Sequence, residues 1–518
     1  MSQNLSRSLR YSKEPVRSKG GVVAAQNQKA ADIGAEVLRG GGNAIDAAVA
    51  TAFSLAVLEP WMSGIGGGGF MLVWDAKKQK GHVVDFGMVS AAGLDPADYP
   101  LAEGVGGDLF GWPLVVEDRN ILGYPSIAVP GQPEGMRLAL ESFGSRSWQQ
   151  SLGPAIELAR EGMEADWFLS TVVASAAKDL GRFPASRGVF LPDGLPPAAD
   201  WGGATTRLKN DALLASLQRL STAGARDYYE GELATKLVRD LQAGGSKIAA
   251  ADLAGYRARL AEPLRYAYGD KTLMLPPGLT AGPSLRDALE AAGPKLDRAG
   301  LSPQSFVAYA EGLTAAYEKR LAGMGDSDNG KSCTTHLCVI DGEGNMVALT
   351  QTLLSLFGSR VMLPESGVLM NNGIMWFDPR PGRPNSLGAA KRPLSNMLPS
   401  LAVDGDKPWL AIGASGGRRI MPAVMQLLSF LIDYRMPLDA AFHQPRIDAS
   451  IPGQPFCDPL LDAATRAAVK ARFPQAGEKR RDPFPLAYAC PSAVMIEPDG
   501  NRIGMTEIAQ PWAGMAGA

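Results

Sequence analysis

Apolar residues fall into two rhythms along this chain. From residue 24 to 58 they recur at helical spacing in Ala- and Leu-rich runs, broken by "GGGN" at 40–43, where Asn43 is placed as an N-cap. "GIGGGGFMLVWD" then leads a glycine loop into a strand, Phe70–Asp75, and "HVVDF" at 82–86 reads as its hairpin partner. Between about 135 and 325 amphipathic helical patterns alternate with loops, as in "SWQQSLGPAIELAREG" and "GELATKLVRDLQAGG". From 335 onward the period shortens to that of strands: "HLCVID", "NMVALTQT", "LPSLAVD", "PWLAIGA". "MPAVMQLLSFLIDYR" is a helix again, and "PSAVMIEPDGNRIGMTE" is another hairpin. Helices early and strands late, without regular alternation, argue for α+β rather than a doubly wound sheet. The segment 322–333, "AGMGDSDNGKSC", reads as an exposed loop.

Composition narrows the partners. The chain has 518 residues, 46% of them hydrophobic, enough for one large layered domain or two smaller ones. Lys plus Arg number 51 against 53 Asp plus Glu, so no electrostatic footprint for nucleic acid or an anionic membrane is expected. No segment reaches 18 uninterrupted apolar residues, the length expected of a membrane span. "MSQNLSRSLRYSKEPVRSKGG" has no apolar signal region, so a cytoplasmic enzyme is expected. The four cysteines, Cys333, Cys338, Cys457 and Cys490, form no CxxC pair and no disulfide framework. With three histidines, His82, His336 and His443, neither a His-built metal site nor a His-dependent triad is favoured. No metal and no cofactor is expected.

Three stretches carry candidate chemistry. "GIGGGGF" has the glycines of a phosphate loop but the order loop–strand, with no Lys-Ser/Thr after it. Its glycines suit close backbone packing instead. "GASGG" at 413–417 matches G-x-S-x-G after a strand and before a helix. The downstream histidine is His443, near the end of that helical region, which leaves no room for a triad on Ser415. The backbone amides of Gly416 and Gly417, at a helix start, suit an anion better. The third stretch is "GKSCTTHLCVIDGEGNMVALTQT" at 330–352. A turn at Gly342–Asn345 mirrors residue 334 onto about 353, so Thr352 is expected beside Thr334. Threonines also pair across strands for packing alone. A cut before Thr334 would give its hydroxyl a neighbouring α-amino base, with a pKa of roughly 7.7–8.0, and no histidine would be needed.

At this point the sequence resembles the γ-glutamyltransferases, members of the N-terminal-nucleophile hydrolases. "GGGNAIDAAVATAFSLAVLEPWMSGIGGGGFML", "VPGQPEGM", "YEGELATKLVRDLQAGG", "PPGLTAGPSL", "TTHLCVID", "ESGVLMNN", "KRPLSNMLPSL" and "GASGGRRI" follow that family's order nearly end to end. The resemblance implies a four-layer αββα sandwich made as a precursor that cuts itself between Cys333 and Thr334. Residues 1–333 would be the large subunit and 334–518 the small one, a heterodimer with room for a higher oligomer. It implies Thr334 as nucleophile, Thr352 as the threonine supporting it, Gly416 and Gly417 as oxyanion donors, and Ser395 and Asn396 where the family has a substrate-contacting serine pair.

The chain departs from the family in the glutamate pocket. Gly87 in "DFGM" replaces the arginine that holds the α-carboxylate. Trp376 stands for the acid that holds the α-amino group, Leu354 for an asparagine and Gly373 for a glutamine. Arg360 and Arg418 stand where the family usually has small residues. A short anionic acyl group is therefore expected, bound by one of these arginines in a pocket narrowed by Trp376. This pattern resembles the oxamate amidohydrolase branch, which acts in uric acid breakdown. Both arginines are alternatively plain surface residues. A cephalosporin- or glutaryl-type acylase, a γ-glutamyl transpeptidase and an uncleaved binding protein are the competing readings.

Overall fold

The computed structural model describes residues 8–105, 112–199, 201–203, 205–324 and 333–518. Of the expected loop at 322–333, residues 325–332 lie outside the described residues. Two seven-stranded sheets form its centre. Their strands are β1 Val16–Ser18, β2 Gly21–Ala25, β3 Gly68–Asp75, β4 Lys80–Phe86, β5 Arg259–Ala261, β6 Leu264–Tyr268 and β7 Lys271–Leu275. They continue as β8 Cys333–Asp341, β9 Met346–Leu354, β10 Ser400–Asp404, β11 Lys407–Ser415, β12 Cys490–Ile496, β13 Arg502–Thr506 and β14 Gly514–Gly517. One sheet runs β1-β13-β12-β11-β10-β7-β6 and the other β14-β2-β8-β9-β3-β4-β5.

Alternation along the second sheet decides its layers. Val22, Ala24, Cys338, Ile340, Met346 and Ala348 pack with Leu401, Ala411 and Ile412 of the facing sheet. Their neighbours Val23, Ala25, Leu337, Val339, Val347 and Leu349 pack against the helices α1 Gln28–Arg39 and α2 Ala44–Leu58. Period two on strands puts each set on one face. Helices at Gly282–Ala292, Pro303–Met324 and Ile420–Ile432 cover the first sheet. The result is the expected α+β sandwich with helices outside both sheets.

Local sequence accounts for the boundaries. Asn43 caps α2 through a capping box with Asp46. Residues 24–25, expected to open a helix, instead finish β2, and α1 starts at Gln28 behind the Asn27 cap. The strand pairs with β8 on one side and β14 on the other, and Ala24 and Ala25 are fully buried on its two faces. The hairpin β6–β7 also lies in a region expected to be helical. The apolar C-terminal part of β7, Leu273–Leu275, is fully buried within the first sheet.

Candidate active site

The hairpin β8–β9 brings the two threonines together at the edge of an irregularity. Thr335 pairs with Gln351 and Cys333 with Leu354, so Thr334 sits in a β-bulge. The mirror expectation, residue 334 opposite about 353, is met to within one residue, because the ladder of Thr335 with Gln351 leads Thr334 to Thr352. Thr334 Oγ1 lies 3.3 Å from Thr352 Oγ1, and both residues are buried. Thr352 Oγ1 accepts the Leu354 amide at 2.8 Å. The glycine loop makes room here: a Cβ at Gly67 would stand 2.2 Å from the Thr352 carbonyl oxygen.

His336, two residues on, is structural. Burial drives its pKa down to about 3, and its ring bridges Thr350 Oγ1 at 2.8 Å and Cys338 Sγ at 3.1 Å. It fills the space above Gly413, where a Cβ would come within 2.3 Å of the ring. The end of β11 therefore lies across the inter-sheet gap from the start of β8. Gly416 and Gly417 follow β11 directly, with φ of 129° and 60°. These left-handed values suit glycine and turn the chain into the helix starting at Ile420. Ser415 is buried and its hydroxyl accepts from Gln26 Nε2. His443 lies elsewhere, near Ser12 and Lys13, so Ser415 has no histidine beside it.

A cavity of about 420 Å³ opens two strands from Thr352, lined by Phe70, Gly87, Trp376, Ser395, Arg259 and Arg392 among others. Gly68 pairs with Thr352 and Gly69 with Phe86, which places Gly87 at the same end of the sheet. Arg392 Nη1 donates to Asp85 Oδ1 at 2.9 Å and to the Gly87 carbonyl at 3.1 Å. Arg259 Nη2 donates to Asp85 Oδ2 at 2.6 Å. A Cβ at residue 87 would come within 3.3 Å of Arg392 Nη1, so the missing side chain leaves room for that guanidinium. Two arginines share one carboxylate, and the group carries a net positive charge. Ser395 is tied from behind by the buried Arg320, whose Nη2 reaches its carbonyl at 2.7 Å. Asn396 is buried, and its Nδ2 has no hydrogen-bond partner among the described residues.

The two arginines singled out in the sequence lie outside this cavity lining. Arg418 is buried with its guanidinium 5.0 Å from the Tyr317 ring centre. Arg360 donates to Gly358 O at 2.6 Å, and its own carbonyl accepts from Ser186. Leu354 is buried beside Trp376 in one apolar cluster. Sequence reasoning singles out none of Arg259, Asp85 and Arg392. Among the described residues, no group of three or more His, Cys, Asp or Glu is placed to hold a metal.

A family model described as Gamma-glutamyltranspeptidase matches residues 30–334 and 327–505. A glutathione hydrolase proenzyme from Bacillus subtilis (strain 168) is 32% identical over 490 residues, covering 83% of this chain and 80% of that relative. An acylase ACY 1 proenzyme from Pseudomonas sp. (strain SE83) is 34% identical over 476 residues, covering 84% and 83%. A solved cephalosporin acylase from Bacillus halodurans shares the fold, with a TM-score of 0.85 at 24% identity over 100% of this chain and 99% of that one.

Proposed function

The chain belongs to the gamma-glutamyltranspeptidase family, and within it we propose a self-processing threonine amidohydrolase for an acyl group that carries a carboxylate. The contact of Thr334 Oγ1 with Thr352 Oγ1, at the mouth of the inter-sheet gap, carries this reading. The peptide bond between Cys333 and Thr334 is cut first. The new α-amino group of Thr334 then takes the proton of its own hydroxyl. The hydroxyl oxygen attacks the substrate carbonyl, and the amides of Gly416 and Gly417 receive the negative charge. The amine leaves with a proton. Water attacks the acyl-threonine ester, releasing the acid and restoring the hydroxyl. Thr352 orients the nucleophile throughout. The names of the relatives, proenzymes of hydrolases and acylases, support this scheme.

The cavity supports the substrate class. Arg392 and Arg259 outweigh Asp85 there, which favours an anion. Trp376 offers an ammonium group no carboxylate, which disfavours a γ-glutamyl group. Ser395 lines the cavity, and the unpaired amide of Asn396 beside it offers a donor. Oxamate, giving oxalate and ammonia, is the smallest substrate of this class and the first to test. Its carboxylate would be held by Arg392 rather than by Arg418 or Arg360, which stand outside the cavity lining. The cavity volume favours a second reading, an acylase for a longer dicarboxylic chain of the glutaryl type. Ammonia release from oxamate, glutaramate, glutamine and an uncharged amide, on one preparation, separates these. Preference for the uncharged amide would end the anionic reading.

A further inference from the structure

Behind the nucleophile strand, toward the helices, lies a row of buried polar groups in an apolar layer. Glu59 closes α2 and is fully buried. Its Oε2 is 2.8 Å from Thr335 Oγ1, which is also 3.3 Å from Gln26 Oε1. Gln26 Nε2 donates onward to the Ser415 hydroxyl and, at 3.0 Å, to the Cys490 carbonyl. The row thus joins the end of α2, the bulge of β8, the end of β2 and the end of β11.

Counting donors fixes the protonation state. Gln26 spends its N–H groups on Ser415 and Cys490, so its oxygen faces Thr335. A threonine hydroxyl has one proton. If Glu59 were ionised it would take that proton, and the Gln26 oxygen would have no donor. If Glu59 is protonated it donates to Thr335, Thr335 donates to Gln26, and the Thr335 and Gln26 oxygens are both served. Glu59 Oε1 has no hydrogen-bond partner, and Glu59 makes no ion pair among the described residues. A neutral carbonyl oxygen tolerates such a place far better than a charged one.

We propose, resting on the threonine amidohydrolase reading, that Glu59 is a positioning residue whose protonated carboxyl heads a one-way hydrogen-bond chain through Thr335 and Gln26 to Ser415. The chain locks the bulge that carries Thr334 to the turn that carries the amides of Gly416 and Gly417. Loss of the proton reverses the first link and uncouples the two halves of the site. Burial pushes the Glu59 carboxyl up to about 8, in keeping with this.

The groups around the row are few. From β12 the Cys490 thiol faces it, held neutral by burial, with Glu507 and Arg446 beyond. From the far face of β8, His336 is neutral. Gln351 and Thr352 on β9 carry no charge. The α-amino group of processed Thr334 produces a rise of activity with pH, opposite to the fall expected from Glu59. Lys13, lowered to about 8 by burial and bonded to the Glu507, Gln510 and Ala513 carbonyls, titrates in the same range as Glu59. A variant at residue 59 tells the two apart.

The test is kcat against pH from 6 to 10, with intact mass to follow self-cleavage, for wild type, Glu59→Gln and Glu59→Leu. Wild-type kcat should fall roughly tenfold per pH unit above the Glu59 value. Glu59→Gln keeps an uncharged N–H donor, so it should process, and its profile should stay flat to pH 9.5. Glu59→Leu should lower kcat at every pH and leave KM unchanged. An alkaline fall in Glu59→Gln equal to that of wild type overturns the proposal and assigns the limb to Lys13. Should Glu59→Gln fail to fold, Thr335→Val takes its place: it breaks the chain, so a persisting wild-type limb overturns the proposal. A wild-type protein that never cuts itself defeats the threonine reading, and this proposal with it. A processed, active Glu59→Gln that keeps the limb defeats this proposal alone.

Discussion

Thr334 Oγ1 and Thr352 Oγ1 stand 3.3 Å apart because the hairpin ladder that sets Thr335 opposite Gln351 leads Thr334 to Thr352, just before the register shifts at Cys333. The shift falls on the far side of Thr334, where Cys333 pairs with Leu354 instead of Leu353.

Thr334→Ala should remain one chain of 518 residues, without activity. Wild type should give two fragments, residues 1–333 and 334–518, by intact mass. A cut at any other bond would end the N-terminal-threonine mechanism.

Thr352→Val keeps the shape and removes the hydroxyl. One lost hydrogen bond of roughly 1–1.5 kcal/mol predicts a fall in kcat of about tenfold, with KM little changed. Steady-state kinetics on the processed variant checks this. An unchanged kcat would remove Thr352 from the mechanism.

γ-Glutamyl anilides should be poor substrates. Trp376 removes the charged anchor of the α-amino group, worth roughly 1.5–3 kcal/mol, while Arg392 stands in the gap at Gly87. That is on the order of ten- to a hundred-fold in kcat/KM. Arg392→Met should raise KM for the best anionic amide and leave self-cleavage intact, because processing involves no substrate carboxylate. Faster turnover of the glutamyl compound than of oxamate and glutaramate would sink the pocket argument.

Thermal stability should carry the mark of Glu59. Its folded value is about 8, against roughly 4.3 in an unfolded chain. The folded state thus holds a proton that the unfolded state loses. This contribution is full below about 4.3, declines as pH rises, and is gone above about 8. The Tm of wild type relative to Glu59→Gln should therefore fall from pH 5 to 8 and level off beyond. A difference independent of pH would contradict the raised value.

Much of the fold is legible in the chain. The hairpin of Met346–Leu354 with its partner shows itself by alternation and a Gly-rich turn, and Asn43 by its capping chemistry. β2 does not, because Ala24 and Ala25 have the composition of a helix and are strand only by virtue of their neighbours on either side. β14, Gly-Met-Ala-Gly, is too short to show a period. The carboxylate partners are hidden for a related reason. Arg360 and Arg418 stand out by their unusual positions, whereas Arg392 reaches the cavity through a gap that Gly87 leaves on a distant strand. Glu59 sits at the end of the apolar run "FSLAVLEP", a signal visible in sequence but silent until its burial is known.

The strand order of the second sheet has a mechanical consequence. β8, β9 and β14 come from the segment after residue 333, and β2, β3, β4 and β5 from the segment before it, interleaved within one sheet. A cut before Thr334 therefore makes two molecules that share a single hydrogen-bonded fabric. Neither can leave without exposing raw strand edges along both flanks of the other. A cut there would free a chain end at Thr334 without giving either fragment a way out.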